Sequence, residues 1–358
     1  MPRITITFGL PTNEKKPPKR LPVFQVLNMP DVGASRRGST YYKSLLSCPF
    51  EHALLYEVGC RPEIPAEPLV AGISYHYILQ RYYESIARFQ REFETRWRTE
   101  HPEDPLGFKK QDDYFWGGEL EATRTAWSAL IPMQNAEGYK DTYDTLTRIV
   151  DHYFDRVHRL DRWRVLAIEE TLEFYGESTG SFDYTARLDL LVEDCNVGGS
   201  TGGRMWIVEH KTARYITTDL IDFYDLDLQV LGQVWLVLGC LDLKSLPPFG
   251  GVLLNIMSKQ KTPKFVRHPV LPHRDHLLAL EYMLGAWVDT RDHYKRNGWP
   301  KAIGHCAGAF RGYSKCQFYD LCRHQPLASI AAIQQWRDAP LGFVFTDPDE
   351  RVIEDHTV

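Results

Sequence analysis

The chain has 358 residues, enough for one large domain or two smaller ones, and its 43% hydrophobic and 25% charged residues are ordinary for a soluble globular protein. The net charge of −5 excludes a polycation, although the first 38 residues carry seven Lys/Arg against Glu14 and Asp31, so that this leader is +5 and the remainder −10. No apolar run is long enough to span a bilayer and the N-terminus lacks a signal-peptide pattern, so no membrane partner and a cytoplasmic location are expected.

Residues 1–38 are irregular, with Pro-Pro and Gly punctuation, and read as a basic leader. A short helix is predicted within 39–60, capped by Ser39-Thr40 and broken at Cys48-Pro49. A long helix over 70–99 follows, rich in Tyr, Arg and Glu. A polar, aromatic connection occupies 100–118, and helical pattern returns over 119–160. Strands are predicted at 164–175, 181–193 and 204–212, then a helix at 219–241 with Asp219 near its start. Two more strands, at 250–257 and 264–270, precede a helix over 272–297 and a cysteine-bearing segment. Helices around a central block of strands imply an α/β core with a helical elaboration before it.

The chemistry concentrates on two predicted strands. Asp189 lies in Arg187-Leu188-Asp189-Leu190-Leu191-Val192, and Glu209 and Lys211 lie in Trp206-Ile207-Val208-Glu209-His210-Lys211-Thr212. Side chains alternate across a strand, so Ile207, Glu209 and Lys211 share one face, and Trp206, Val208 and His210 the other. The Gly-rich stretch Asn196 to Gly203 reads as a loose hairpin turn that brings Asp189 close to Glu209 and Lys211. Two carboxylates and an ammonium at a sheet edge suit a divalent metal and a developing phosphate charge. A solvated strand face has the same alternation, but apolar residues on both faces of these strands point to a buried sheet, where charges need a reason.

Of seven cysteines, Cys306, Cys316 and Cys322 cluster near the C-terminus and Cys48 lies far upstream. Thiolates hold iron–sulfur clusters or zinc, and four ligands from opposite ends of the chain would staple them together. Zinc stays open because His305 and His324 flank the outer cysteines. Cys195 and Cys240 fit plain core positions.

Together these residues resemble one family, the RecB-type nucleases of the PD-(D/E)xK superfamily, and more narrowly its iron–sulfur branch of CRISPR-associated and phage-type DNA exonucleases. Tyr41 to Pro49 resembles that branch's helix ending in the first cluster Cys-Pro. Gly72-x-x-x-His76 resembles its helical His motif, and Ala186-Arg187-Leu188-Asp189 its Gly-x-x-Asp, with Ala for Gly. Glu209-His210-Lys211-Thr212 resembles the (Asp/Glu)-x-Lys-Thr motif, and Gln229 the Gln of the next helix. Cys306 with Cys316-Gln317-Phe318-Tyr319-Asp320-Leu321-Cys322 resembles the C-terminal cluster segment. The likeness covers about 40–323. Two departures stand out: Gln233 occupies the place of a usual Tyr, and the first C-terminal cysteine gap is x9 where the narrowest pattern has x2. Cys60 is an alternative to Cys48.

The resemblance implies a restriction-endonuclease-like mixed central sheet flanked by helices, with an N-terminal helical elaboration and a C-terminal iron–sulfur segment. The divisions are a leader at 1–38, a helical region at 39–160, the nuclease core at 161–300, the cysteine segment at 301–325 and a tail at 326–358. It implies a metal-dependent deoxyribonuclease, an exonuclease in recombination, replication or DNA-end processing. His76, Asp189, Glu209 and the His210 carbonyl would hold Mg²⁺ or Mn²⁺, with Lys211 orienting water or stabilising charge and Gln229 positioning substrate or Lys211. Cys48, Cys306, Cys316 and Cys322 would hold a 4Fe-4S cluster, with zinc as the alternative. Tyr75, with Tyr77, Tyr82 and Tyr83, would stack unpaired bases or pack in the core. Lys259, Lys261 and Lys264 form a basic turn that would contact phosphate or simply be solvated. DNA is the implied partner. No helicase motif is present, so unwinding would need a helicase, recombination or CRISPR partner protein. The rival readings are a catalytically silent DNA-binding or assembly protein of the same fold, and a zinc-stabilised structural protein.

Overall fold

The computed structural model describes residues 26–27, 37–62, 67–158, 161–176, 182–196, 201–302, 316–324, 329–335, 339 and 343–345. In chain order the helices are α1 (Ser39–Ser47), α2 (Pro49–Tyr56), α3 (Glu67–Glu100), α4 (Asp112–Trp116), α5 (Glu119–Gln134), α6 (Lys140–Arg156), α7 (Thr218–Asp225), α8 (Leu228–Cys240), α9 (Arg274–Asn297), α10 (Tyr319–His324) and α11 (Ile330–Ile333). The strands are β1 (Cys60–Pro62), β2 (Trp163–Phe174), β3 (Tyr184–Asp194), β4 (Met205–Ala213), β5 (Phe249–Ser258), β6 (Phe265–Val270) and β7 (Phe343–Phe345).

Strands β2 to β6 form one five-stranded sheet in sequential order. Its pairs are antiparallel except β4 with β5, which run parallel because α7 and α8 carry the chain back between them. This is the mixed sheet expected from the sequence. On one face Tyr75, Ile78, Leu79, Tyr82 and Tyr83 of α3 pack with residues of α5 and α6 against Leu190, Val192, Trp206 and Val208. On the other face Val230, Val234 and Val237 of α8 and Leu280 and Leu284 of α9 cover Leu188, Ile207, Leu254 and Ile256. A third cluster joins Cys48, Phe50, Leu54 and Cys60 to Cys316, Phe318 and Leu321, beside the small β1–β7 sheet. Among the described residues no helix is long and apolar enough to cross a membrane.

The structure divides several predicted elements. The helical stretch over 119–160 breaks between α5 and α6, where Gly138 takes φ +76°. The stretch over 219–241 breaks before Asp227, whose side chain accepts from Gln229 N at 2.9 Å and caps a new helix, α8. Thr217 caps α7, with Asp219 in its first turn as the sequence suggests. Neither Ser39 nor Thr40 caps α1; Gly38 stands at that position without a side-chain bond, and Pro49 opens a separate helix, α2.

One close approach sets the distance between α8 and the sheet. Gly232 of α8 sits against Tyr184 of β3, so that a Cβ there would overlap the phenol ring, while Tyr184 Oη donates to Leu228 O at 3.1 Å. The lack of a side chain lets α8 lie close to the strands. Gly232→Ala is therefore expected to cost about 1–3 kcal/mol in denaturant unfolding, as overpacked core sites do. An unchanged midpoint would mean that α8 is free to move outward.

Candidate active site

The β3–β4 ladder runs from Glu193 opposite Met205 to Leu190 opposite Val208 and ends there. The strands part at Asp189 and Glu209. Below this point Ala186 and Leu188 face α8; above it Leu190 and Val192 face α3, so β3 changes face at Asp189. Across from Asp189, between the Ile168–Leu190 and Glu170–Leu188 pairs, lies Glu169 with φ +50°, a left-handed conformation rare for a non-glycine. A register shift between Val165 and Ala167 sets this alignment.

Asp189 Oδ1 lies 3.1 Å from His76 Nδ1 of α3, and its Oδ2 accepts from His210 N at 2.7 Å. Burial works against the Asp189 charge, but the His76 imidazole, together with His210 and Lys211, outweighs it and holds this carboxyl well below its usual range. His76 in turn is pushed down by burial and, more strongly, up by Asp189. Glu169 is the residue that sequence reasoning missed. Its carboxylate, 2.8 Å from Arg187 Nε, is raised to about 7 by burial and by Asp189, with Arg187 opposing. His76, Glu169 and Asp189 each offer a ligand atom, all within 4.8 Å of one another.

Glu209 and Lys211 point toward α8, as strand alternation requires. Glu209 is 1% exposed. Its Oε1 accepts from Lys211 Nζ and from Gln229 Nε2, the latter at 2.7 Å, and Gln229 Oε1 accepts from Lys211 at 2.9 Å. This closes a ring of three side chains. Gln233 Nε2 donates to Glu209 Oε2 at 2.7 Å. Burial and Asp189 raise the Glu209 carboxyl, while Lys211 opposes. Burial favours a neutral Lys211, but Glu209 and Asp189 prevail and push its pKa up, so the ammonium stays charged. Asp227, which caps α8, also binds Lys43 Nζ at 2.6 Å, fixing the start of the helix to α1.

The His210 side chain faces the other way. Its ring lies among Tyr75, Tyr83 and Tyr153, with centroids at 6.3, 6.1 and 5.9 Å, and among the described residues neither ring nitrogen has a hydrogen bond. Tyr75 is 0% exposed, and Tyr82 and Tyr83 are buried with it. The base-stacking expectation for Tyr75 is thus corrected: its ring belongs to the α3–sheet core and no base can reach it. Lys261 is exposed in the turn after β5. That turn adjoins the end of β4, because Lys259 N donates to Ala213 O at 2.8 Å.

Cys48 and Cys316 are buried, and Cys322 packs against the same third cluster, as does Cys60. Among the described residues no three cysteines bring their sulfurs within 4.8 Å of one another. Cys306 and His305 lie outside the described residues, as do most of 1–38 and of 326–358.

A mixed sheet that parts to gather carboxylates and an imidazole beside a buried Glu-x-Lys offers the oxygen and nitrogen donors of a divalent-metal site. The family model of the PD-(D/E)XK nuclease superfamily matches residues 39–323. The chain belongs to that superfamily, whose members are generally metal-dependent nucleases that typically use Mg²⁺ or Mn²⁺. A solved structure of a candidate exonuclease from Eubacterium rectale is similar at a TM-score of 0.42 and 11% identity, over 82% of this chain and 88% of that one. No curated protein matches the sequence.

The buried His210 yields a pH prediction. Burial lowers its pKa from 6.5 to about 3, so between those values the unfolded chain holds a proton that the folded one lacks. Stability is then full above pH 6.5 and falls on acidification, by at most about 1.4 kcal/mol per pH unit. In metal-free buffer, His210→Phe should lessen the decline between pH 6.5 and about pH 5 by roughly 2 kcal/mol. His52, likewise lowered to about 3 by burial, keeps its share in both proteins. Equal slopes for the two proteins would show that the imidazole is solvated.

Proposed function

We propose that this protein is a metal-dependent DNA nuclease acting at DNA ends, an exonuclease of the RecB type. The observation that carries the reading is the meeting of His76, Glu169 and Asp189 within 4.8 Å, beside a Lys211 kept charged by Glu209. Carboxylate oxygens with one imidazole fit Mn²⁺ well and Mg²⁺ adequately. In this reading His76, Asp189, Glu209 and the His210 carbonyl hold the ion, and Glu169 adds a further carboxylate. The bound ion supplies a polarised phosphate and a more acidic water.

The chain's own groups supply the rest. Lys211 is a cation at neutral pH, so it acts as a hydrogen-bond donor that orients water or stabilises the phosphorane charge, and does not take up the proton. Gln229 keeps Lys211 pointing into the site through its Oε1. The turn bearing Lys259 and Lys261 lies at the same end of the β4–β5 pair as Lys211, which favours a role in holding the DNA backbone. DNA is the partner, and unwinding of a duplex would fall to a separate helicase or recombination protein.

The same reading assigns Cys48, Cys306, Cys316 and Cys322 to a structural 4Fe-4S cluster. Its support is the burial of Cys48 and Cys316 in one core cluster that joins the two ends of the chain.

Two experiments test these assignments. End-labelled linear and circular DNA, single- and double-stranded, is digested with Mn²⁺ or Mg²⁺ by wild type and by Lys211→Ala. Metal-dependent loss of linear DNA is expected from the wild type, with a drop of at least about 10²-fold in the variant. Cleavage of circles as fast as linear DNA would replace the exonuclease reading with an endonuclease. No cleavage by anaerobically purified wild type would favour a DNA-binding or assembly protein. For the cluster, anaerobic wild type should be brown and contain iron, and Cys322→Ala should be bleached and less stable. A colourless, zinc-containing wild type would sink the iron–sulfur assignment.

A further inference from the structure

A carboxylate offers about four lone-pair positions on its two oxygens. On Glu209 three are occupied from within the protein: two on Oε1 by Lys211 and Gln229, and one on Oε2 by Gln233. Among the described residues no donor meets the fourth position, on Oε2. Gln233 is 0% exposed and lies one turn beyond Gln229 on α8, so the i, i+4 spacing puts both amides on the face toward β4. The two amides differ in what they touch. Gln229 bonds both Lys211 and Glu209, whereas Gln233 Nε2 bonds Glu209 and lies 3.4 Å from Arg187 O. Gln233 Oε1 is buried without a hydrogen bond among the described residues. An unsatisfied buried amide oxygen is unfavourable, and a Met of the same length would fill the space without it. The contribution of a glutamine here is therefore the donor that it gives to Glu209.

We propose that Gln233 is a positioning residue for the metal site: its amide fixes the plane of the Glu209 carboxylate and leaves one lone pair of Oε2 for the ion. This rests on the metal-dependent nuclease reading and goes beyond it. Glu209 binds the ion through one oxygen only, and Gln233 selects which. Without Gln233 only the two bonds at Oε1 hold the carboxylate, Oε2 is untethered, and the ion must compete with that freedom. Partners behind a ligand of this kind typically change metal affinity by about 10–100-fold.

The test is Mn²⁺ binding by calorimetry to the full-length protein, with thermal unfolding in metal-free buffer and cleavage kinetics alongside. Gln233→Met should bind Mn²⁺ at least about tenfold more weakly. Its cleavage should need correspondingly more Mn²⁺, with the KM for DNA unmoved. Lys211→Ala should show the opposite split, binding Mn²⁺ while losing cleavage. If Gln233→Met does not fold, Gln233→Asn keeps a buried amide but withdraws its donor by one methylene, and the same weakening is expected. Mn²⁺ affinity equal to wild type in a folded variant, whatever its melting temperature, overturns the positioning role and leaves the nuclease reading intact. A wild type that binds no Mn²⁺ overturns both.

Discussion

Ionised groups held out of water where β3 and β4 part are the constraint on which the rest of this structure depends. An isolated buried charge is expensive, and removing one partner of a buried pair typically costs about 3–5 kcal/mol. Asp189 is stable there because His76 and a backbone N–H face its two oxygens, and Glu209 because an ammonium and two amides surround it. The side-chain partners from outside β4 arrive on two helices: His76 on α3, Gln229 and Gln233 on α8. Both helices must therefore be fixed against the sheet to within an ångström or so. Gly232 against Tyr184 and Asp227 on Lys43 do this for α8, and the tyrosine-rich packing of α3 does it for His76.

The same point in the sheet carries its main backbone irregularity. A left-handed Glu169 costs about 1–2 kcal/mol relative to ordinary strand geometry. That conformation places its carboxylate with the Asp189 carboxylate and the His76 imidazole rather than on a regular strand face. Strain and burial thus fall on the same few residues, and the regular ladders on either side compensate for both. The alternation of β4 then separates two environments one residue apart. Glu209 and Lys211 enter the charged side, while the His210 ring enters an aromatic cage and leaves only its backbone at the site.

Much of this was legible because period-two alternation is a property of the backbone. Glu209 and Lys211 on one face, His210 on the other, and Asp189 on the neighbouring strand all follow from it. Glu169 was not legible, since its position depends on a bulge between Val165 and Ala167 that no local pattern announces, and then on a left-handed φ. Of the two readings of Tyr75 the packing one holds, because α3 is covered along most of its length by α5, α6 and the sheet, so an aromatic one residue from a site residue is still core. The breaks at 135–139 and at Asp227 turn on a single Gly conformation and a single cap, which compete weakly with the helical periodicity on either side. Gln233 was visible only as a departure from the family pattern; its meaning required the distance to Glu209.

The use of neutral amides on Glu209 bears on the charge of the whole site. When all three carboxyls are ionised, against the burial that raises those of Glu169 and Glu209, Glu169, Asp189 and Glu209 supply three negative charges, and Lys211 and Arg187 two positive ones. With His76 neutral the set is then −1, and in the proposed metal-dependent reading a divalent cation would bring it to +1, a sign that suits a phosphodiester. If either glutamine were a lysine, the carboxylates would already be neutralised from within, and the ion would gain little by entering. Amide donors stabilise the ionised carboxylate through hydrogen bonds without changing that count. In the proposed reading the donor set on Glu209 therefore keeps its negative charge available to an ion, while Lys211 is the cation bonded to that carboxylate and Arg187 the one bonded to Glu169.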